Sequence, residues 1–179
     1  MAQTEVLITF YSRGGATEKL ALAAAVGAVQ ARATIRFRRL ADVGEPLPET
    51  AQMRREYVPP SEADVLRADA IVFVAPASFR AVSPEWTTHL DLLQDLRAAG
   101  KLEGKIAAAI QTDPGLDELA KVILRLGFIV VPGGMEVDAA ERALAHGRRT
   151  VQGDFPAGTR QATAPAPFSS RAQPRSISG

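Results

Sequence analysis

Ser12-Arg13-Gly14-Gly15-Ala16-Thr17 sets two hydroxyls around a pair of adjacent glycines, and that combination suits the binding of a phosphate. Ser12 and Thr17 bring side-chain hydroxyls, and Gly14 and Gly15 let the backbone approach a ligand closely. The flanks add to this. Val6-Leu7-Ile8-Thr9-Phe10-Tyr11 is a β-branched and aromatic run that reads as a strand, and Glu18-Lys19-Leu20 opens a helical stretch. The free N–H groups of a first helical turn would then point at the place an anion occupies. A strand, a Gly-Gly turn and a helix also begin any ordinary α/β protein, so the turn by itself leaves both readings open.

The elements that must hold this turn follow in order. Residues 18–31 carry alanines at 21, 23, 24, 25 and 28 with Leu20, Leu22, Val26 and Val29, a high-propensity helix small enough in its side chains to lie close against a sheet. Thr34-Ile35-Arg36-Phe37-Arg38-Arg39-Leu40 alternates as a strand with one wet face, and its charge suits a sheet edge, with the arginines on the solvated face. Residues 41–60 carry Pro46, Pro48, Pro59 and Pro60 with little periodicity and read as a long connection. Ser61-Glu62-Ala63-Asp64 predicts a capping-box start to a short helix. The unbroken apolar run 70–75 reads as a strand buried on both faces.

Pro76-Ala77-Ser78-Phe79 opens a loop, and Ser83-Pro84-Glu85 starts a helix with proline at its first position. Trp86, Leu90, Leu93 and Leu96 face the sheet from that helix, and His89, with no ligand or carboxylate at useful spacing, reads as a helix-surface residue. Residues 106–112 form another buried strand, followed by the loop Asp113-Pro114-Gly115. A helix over 116–126 leads to a last strand at 128–131, and a final helix runs from Asp138 to about Val151, with His146 on its surface.

Composition bounds the function. Of 179 residues, 46% are hydrophobic, enough for one domain with a substantial core. No cysteine is present, which excludes disulfides, thiolate metal sites and cysteine nucleophiles. With 21 basic and 20 acidic side chains the net charge is +1, so no overall field steers the chain to nucleic acid. No apolar run reaches membrane-span length and no signal peptide is visible at the start, which makes the cytoplasm the expected location. The expected domain spans 1–151. Residues 152–179, rich in Ala, Pro, Ser and Thr, cannot build a core and read as a disordered tail. Deleting residues 153–179 is expected to leave the melting temperature nearly unchanged; a large drop would show that the tail packs on the domain.

Five strands alternating with helices imply an α/β fold, a three-layer sandwich around a parallel sheet of order 2-1-3-4-5. In such a sheet a ligand sits beyond the carboxyl ends of the strands, where the strand order reverses. The loops there are 12–17, 76–82 and 112–115.

Tyr11-Ser12-Arg13-Gly14-Gly15-Ala16-Thr17-Glu18-Lys19-Leu20-Ala21 resembles the FMN-phosphate loop of the flavodoxin-like superfamily. Ala68 to Phe79, Leu102-Glu103-Gly104-Lys105 and Ala143 to Arg149 are similar to segments of the NAD(P)H:quinone reductases of the WrbA type, in the same order. The resemblance implies that Ser12, Arg13, Gly14, Gly15, Ala16 and Thr17 hold the FMN phosphate. It places Pro76, Ala77, Ser78, Phe79, Thr112 and Asp113 about the isoalloxazine ring. It further implies hydride transfer from NAD(P)H through flavin to a quinone or other small acceptor, with no side-chain acid or base demanded, and a possible homo-oligomer. The chain departs from the family in its short third loop, Thr112-Asp113-Pro114-Gly115. That loss favours an alternative, a flavodoxin-like protein without FMN acting as a binding or scaffold module. A one-electron carrier is disfavoured by the absence of an acidic surface charge, and a Rossmann dinucleotide site by the Gly14-Gly15 spacing.

Overall fold

The computed structural model describes residues 4–76, 83–112, 118–131, 148, 150 and 151. Five parallel strands form one sheet of order β2-β1-β3-β4-β5: β1 (Glu5–Phe10), β2 (Thr34–Arg39), β3 (Ala70–Ala75), β4 (Ile106–Gln111) and β5 (Ile129–Val131). The expected fold class and strand order are borne out. Val6 lies opposite Ile35 of β2 and Ala70 of β3, so β1 is central and its end, Phe10, opens onto the point where the strand order reverses.

Alternation along the strands builds two cores. Val6, Ile8 and Phe10 with Val72 and Val74 turn to the face covered by α1 (Ala16–Gln30). Ala21, Ala24 and Ala28 recur on one side of that helix with no exposed surface, and their single methyl groups let its backbone lie close to the sheet. Val151 packs on the same core. Leu7, Ile71 and Phe73 face the other way, toward α3 (Glu62–Arg67), α4 (Pro84–Ala98) and α5 (Glu118–Arg125). The capping box at Ser61 is formed: its hydroxyl accepts from the Asp64 amide at 3.2 Å, and the Asp64 carboxylate accepts from the Ser61 amide at 3.0 Å.

Three expectations are corrected. The 41–60 connection holds a 3-10 turn, Pro48–Thr50, running into a helix α2, Ala51–Glu56; Pro48 starts the turn with its fixed φ and missing N–H, so the proline marked an element as well as a break. The β2 arginines do not share one solvated face: Arg36 and Arg38 stay 27% and 24% exposed while pairing with Asp64, but Arg39 is 3% exposed. His89 is 5% exposed and packs between the rings of Phe73 and Trp86, at 6.2 and 6.1 Å. Positions 86, 89, 93 and 96 repeat at helical spacing, which puts the histidine on the stripe that α4 buries. The final helix from Asp138, His146 and the 152–179 tail lie outside the described residues, apart from helical positions at 148, 150 and 151.

Candidate functional site

Beyond the carboxyl ends of β1 and β3 lies a cleft of about 270 Å³, lined by Tyr11, Ser12, Arg13, Gly14, Ala16, Thr17, Pro76 and Ser83. The turn 12–17 and Pro76 therefore meet where the sequence places them. Thr112 stands at the end of β4, its amide donating to the Ala75 carbonyl at 3.3 Å, so it lies one strand over from Pro76. Ala77, Ser78, Phe79 and Asp113 lie outside the described residues.

The turn is built for an anion. Gly15 precedes α1 with φ +83°, a left-handed conformation that glycine adopts without a Cβ penalty. Its amide donates to the Ser12 hydroxyl at 2.9 Å, which folds the loop back on itself, and its carbonyl takes the first helical bond from the Lys19 amide at 3.0 Å. Among the described residues no side chain caps α1. The amides of its first turn, which have no intrahelical acceptor in any helix, are therefore left for an anion at this end. Among the described residues, a Cβ built on Gly14 meets no atom within 4 Å. Ser12 and Thr17 are buried at the cleft wall.

Tyr11, Arg13 and Glu85 complete the electrostatics. Arg13 Nε donates to the Tyr11 hydroxyl at 3.3 Å, and its guanidinium lies 5.8 Å from that ring and 3.8 Å from the Glu85 carboxylate. Half of the Arg13 side chain stays exposed, which leaves N–H donors free for a ligand. Its hydrogen bond to the Tyr11 hydroxyl, helped by the Glu85 and Glu49 carboxylates, strengthens its protonated form. Burial pushes the Tyr11 hydroxyl up to about 12, with Glu85 and Asp42 adding to the rise against Arg13. Burial raises the Glu85 carboxyl as well, but hydrogen bonds from its own amide and from Ser83 at 2.8 Å hold it below the usual carboxylate range. The cleft thus offers a cation at its rim, orphan amides at its floor and a fixed carboxylate behind the cation. Tyr11, Ser83 and Glu85 were not among the sequence-derived site residues; Ser83-Pro84-Glu85 was legible only as a helix start.

A five-stranded parallel sheet of order 2-1-3-4-5 with an anion-ready turn at its reversal point is the flavodoxin-like arrangement, and solved structures agree. A WrbA-like flavodoxin from Agrobacterium tumefaciens superimposes with a TM-score of 0.59 at 18% identity, covering 90% of this chain and 100% of its own. A flavodoxin from Streptococcus pneumonia TIGR4 gives 0.60 at 17%, covering 84% and 100%. The family follows from the sequence: the model of the NADPH-dependent FMN reductase family matches residues 6–147, and the chain belongs to that family. A protein of Paracoccus denitrificans (strain Pd 1222) named NAD(P)H dehydrogenase (quinone) is 29% identical over 181 residues, 90% of this chain and 86% of that protein. One of the same name from Azorhizobium caulinodans is 32% identical over 138 residues, 71% and 69% of the two chains.

Proposed function

We propose that the chain binds FMN and works as an NAD(P)H:quinone oxidoreductase. The observation that carries this reading is the turn 12–17: uncapped helix amides, a left-handed glycine and a half-exposed arginine at the strand-order reversal of a chain in this family. FMN, when bound, supplies acceptance of a hydride from NAD(P)H and its delivery to a quinone. The protein's work is placement. Ser12 and Thr17 hydroxyls, the first-turn amides and Arg13 hold the phosphate, with Gly14 and Gly15 leaving room for it. On the family resemblance, Pro76, Ala77, Ser78, Phe79, Thr112 and Asp113 are the residues proposed to border the ring, where an Asp113 carboxylate would disfavour the anionic reduced form. Among the described residues no helix is long and apolar enough to cross a membrane, in keeping with a cytoplasmic enzyme acting on a small quinone.

The purified protein, mixed with FMN and freed of excess, is expected to retain a flavin absorption spectrum that bleaches with NAD(P)H and recovers when a quinone is added. A protein that stays colourless would overturn the flavoenzyme reading and leave the scaffold alternative. A retained flavin that no nicotinamide reduces would overturn the choice of electron donor.

A further inference from the structure

Beside the turn, lining a second cavity of about 280 Å³ and not the cleft itself, lies a largely buried ion pair that the reading above does not use. Arg39, the last residue of β2, grips Asp42 through both terminal nitrogens, at 2.7 and 3.4 Å. An arginine this deeply buried is stable only when paired, and an ion pair of this kind seldom adds more than apolar side chains of similar volume would. Its neighbours show what it can do that apolar side chains cannot. Arg39 Nη2 also donates to the Ser12 carbonyl at 3.4 Å, and the guanidinium lies 4.8 Å from the Tyr11 ring centre. Asp42 accepts from the Tyr11 hydroxyl at 3.0 Å and from the Thr50 hydroxyl at 3.1 Å, with Arg54 3.6 Å away. Burial pushes the Asp42 carboxyl up, but Arg39, Tyr11 and Thr50 outweigh it and keep the group ionised.

We propose that Arg39 and Asp42 are positioning residues for the phosphate turn, acting through Tyr11 and the Ser12 carbonyl. This rests on the FMN reading. In a trans peptide the C=O and N–H point in opposite directions. Drawing the Ser12 carbonyl toward Arg39 therefore turns the Arg13 amide to the other side of the chain. Holding the Tyr11 hydroxyl on Asp42 fixes the atom to which Arg13 Nε donates, so the same carboxylate sets the direction of the cleft's cation. The 41–60 connection takes part through Thr50, and it lies against the sheet end where the Tyr57 ring packs on Phe10 and Phe37 at 5.2 and 5.5 Å.

The test compares FMN with riboflavin, which has the same ring and lacks the phosphate. Asp42→Asn keeps the shape and removes the charge; Arg39→Lys keeps the charge and removes the fork. Each is expected to weaken FMN binding about tenfold or more, the loss of one to two charge-assisted contacts, while riboflavin affinity changes by about twofold or less. Thr50→Val removes a hydroxyl whose single proton is shared between Asp42 at 3.1 Å and the Leu47 carbonyl at 2.9 Å, and is expected to move FMN affinity in the same direction by a smaller factor. It also supplies the comparison if an ion-pair variant does not fold. Equal losses for FMN and riboflavin would mark the pair as merely structural and overturn the proposal. Wild-type protein that binds both ligands equally well would instead overturn the phosphate-turn reading itself, and the positioning role with it.

Discussion

Gly15→Val is expected to abolish FMN retention, lowering affinity by about a hundredfold or more, a change of about 2.7 kcal/mol, while the domain stays folded. The reason is conformation rather than space. A Cβ at Gly15 would meet only the Glu18 Oε2 atom at 3.8 Å, an ordinary contact. The backbone, however, sits at φ +83°, where a β-branched residue is strained by about 1–3 kcal/mol. That is a fraction of the roughly 5–15 kcal/mol that keeps a domain folded, so the chain relieves it locally by rotating the flanking peptides. Rotation withdraws the Gly15 amide from Ser12 Oγ and swings the first-turn amides off the anion. Two charge-assisted hydrogen bonds, each worth about 1.5–3 kcal/mol, suffice for the loss. Gly15→Asn is the informative companion, because asparagine tolerates the left-handed region; it is expected to keep more affinity than valine. FMN titrations of both variants, with circular dichroism to verify folding, decide the matter. A valine variant that binds FMN as well as wild type would place the phosphate elsewhere.

The sheet and the turn were legible because each rests on local chemistry. Apolar runs at 6–11, 70–75 and 106–111 have only one good use in a chain with intervening helices, and the alanines at 21, 24 and 28 can serve only a close-packed helix. The family resemblance then assigned the turn to FMN. What stayed hidden depends on pairing across distance. Arg39 falls in phase with Ile35 and Phe37, the apolar side of the β2 alternation, so period 2 already sets it apart from Arg36 and Arg38; what the sequence does not show is that Asp42 and Tyr11 stand beside it. Glu85 likewise reads as a first-turn acid complementing the helix dipole. Its second task, standing behind Arg13, arises only when α4 and the β1 turn converge. Periodicity did carry the burial of His89. Judging that position by its chemistry instead of its place in the 86, 89, 93, 96 stripe is what produced the surface reading.

His89 gives the second large effect. Burial among Phe73 and Trp86 pushes its imidazole down from the usual 6.5 to about 4, and its Nε2 has no hydrogen-bond partner among the described residues. Between those two values the unfolded chain binds a proton at this residue and the folded one does not. Stability therefore falls as the pH drops from 6.5 toward 4, by about 3 kcal/mol in all at 1.36 kcal/mol per unit. Carboxylates act in a separate window. Burial acts to raise the Asp64 carboxyl, but hydrogen bonds from Arg38 and Ser61 outweigh it and bring it to about 2. The stability that Asp64 contributes is complete above its ordinary 3.8 and is lost only as the pH falls from there toward 2. His89→Leu, close in volume, is expected to differ from wild type by about 1 kcal/mol or less at pH 7 and to be more stable by about 2–3 kcal/mol near pH 4.5. Urea midpoints collected between pH 7.5 and 4.5 test this. The chain's other histidine, His146, is present in both proteins, so the difference between the two curves isolates position 89. Parallel curves would mean that the imidazole is protonated in the folded state, and hence that water or an acidic group reaches Nε2 within the α4 core.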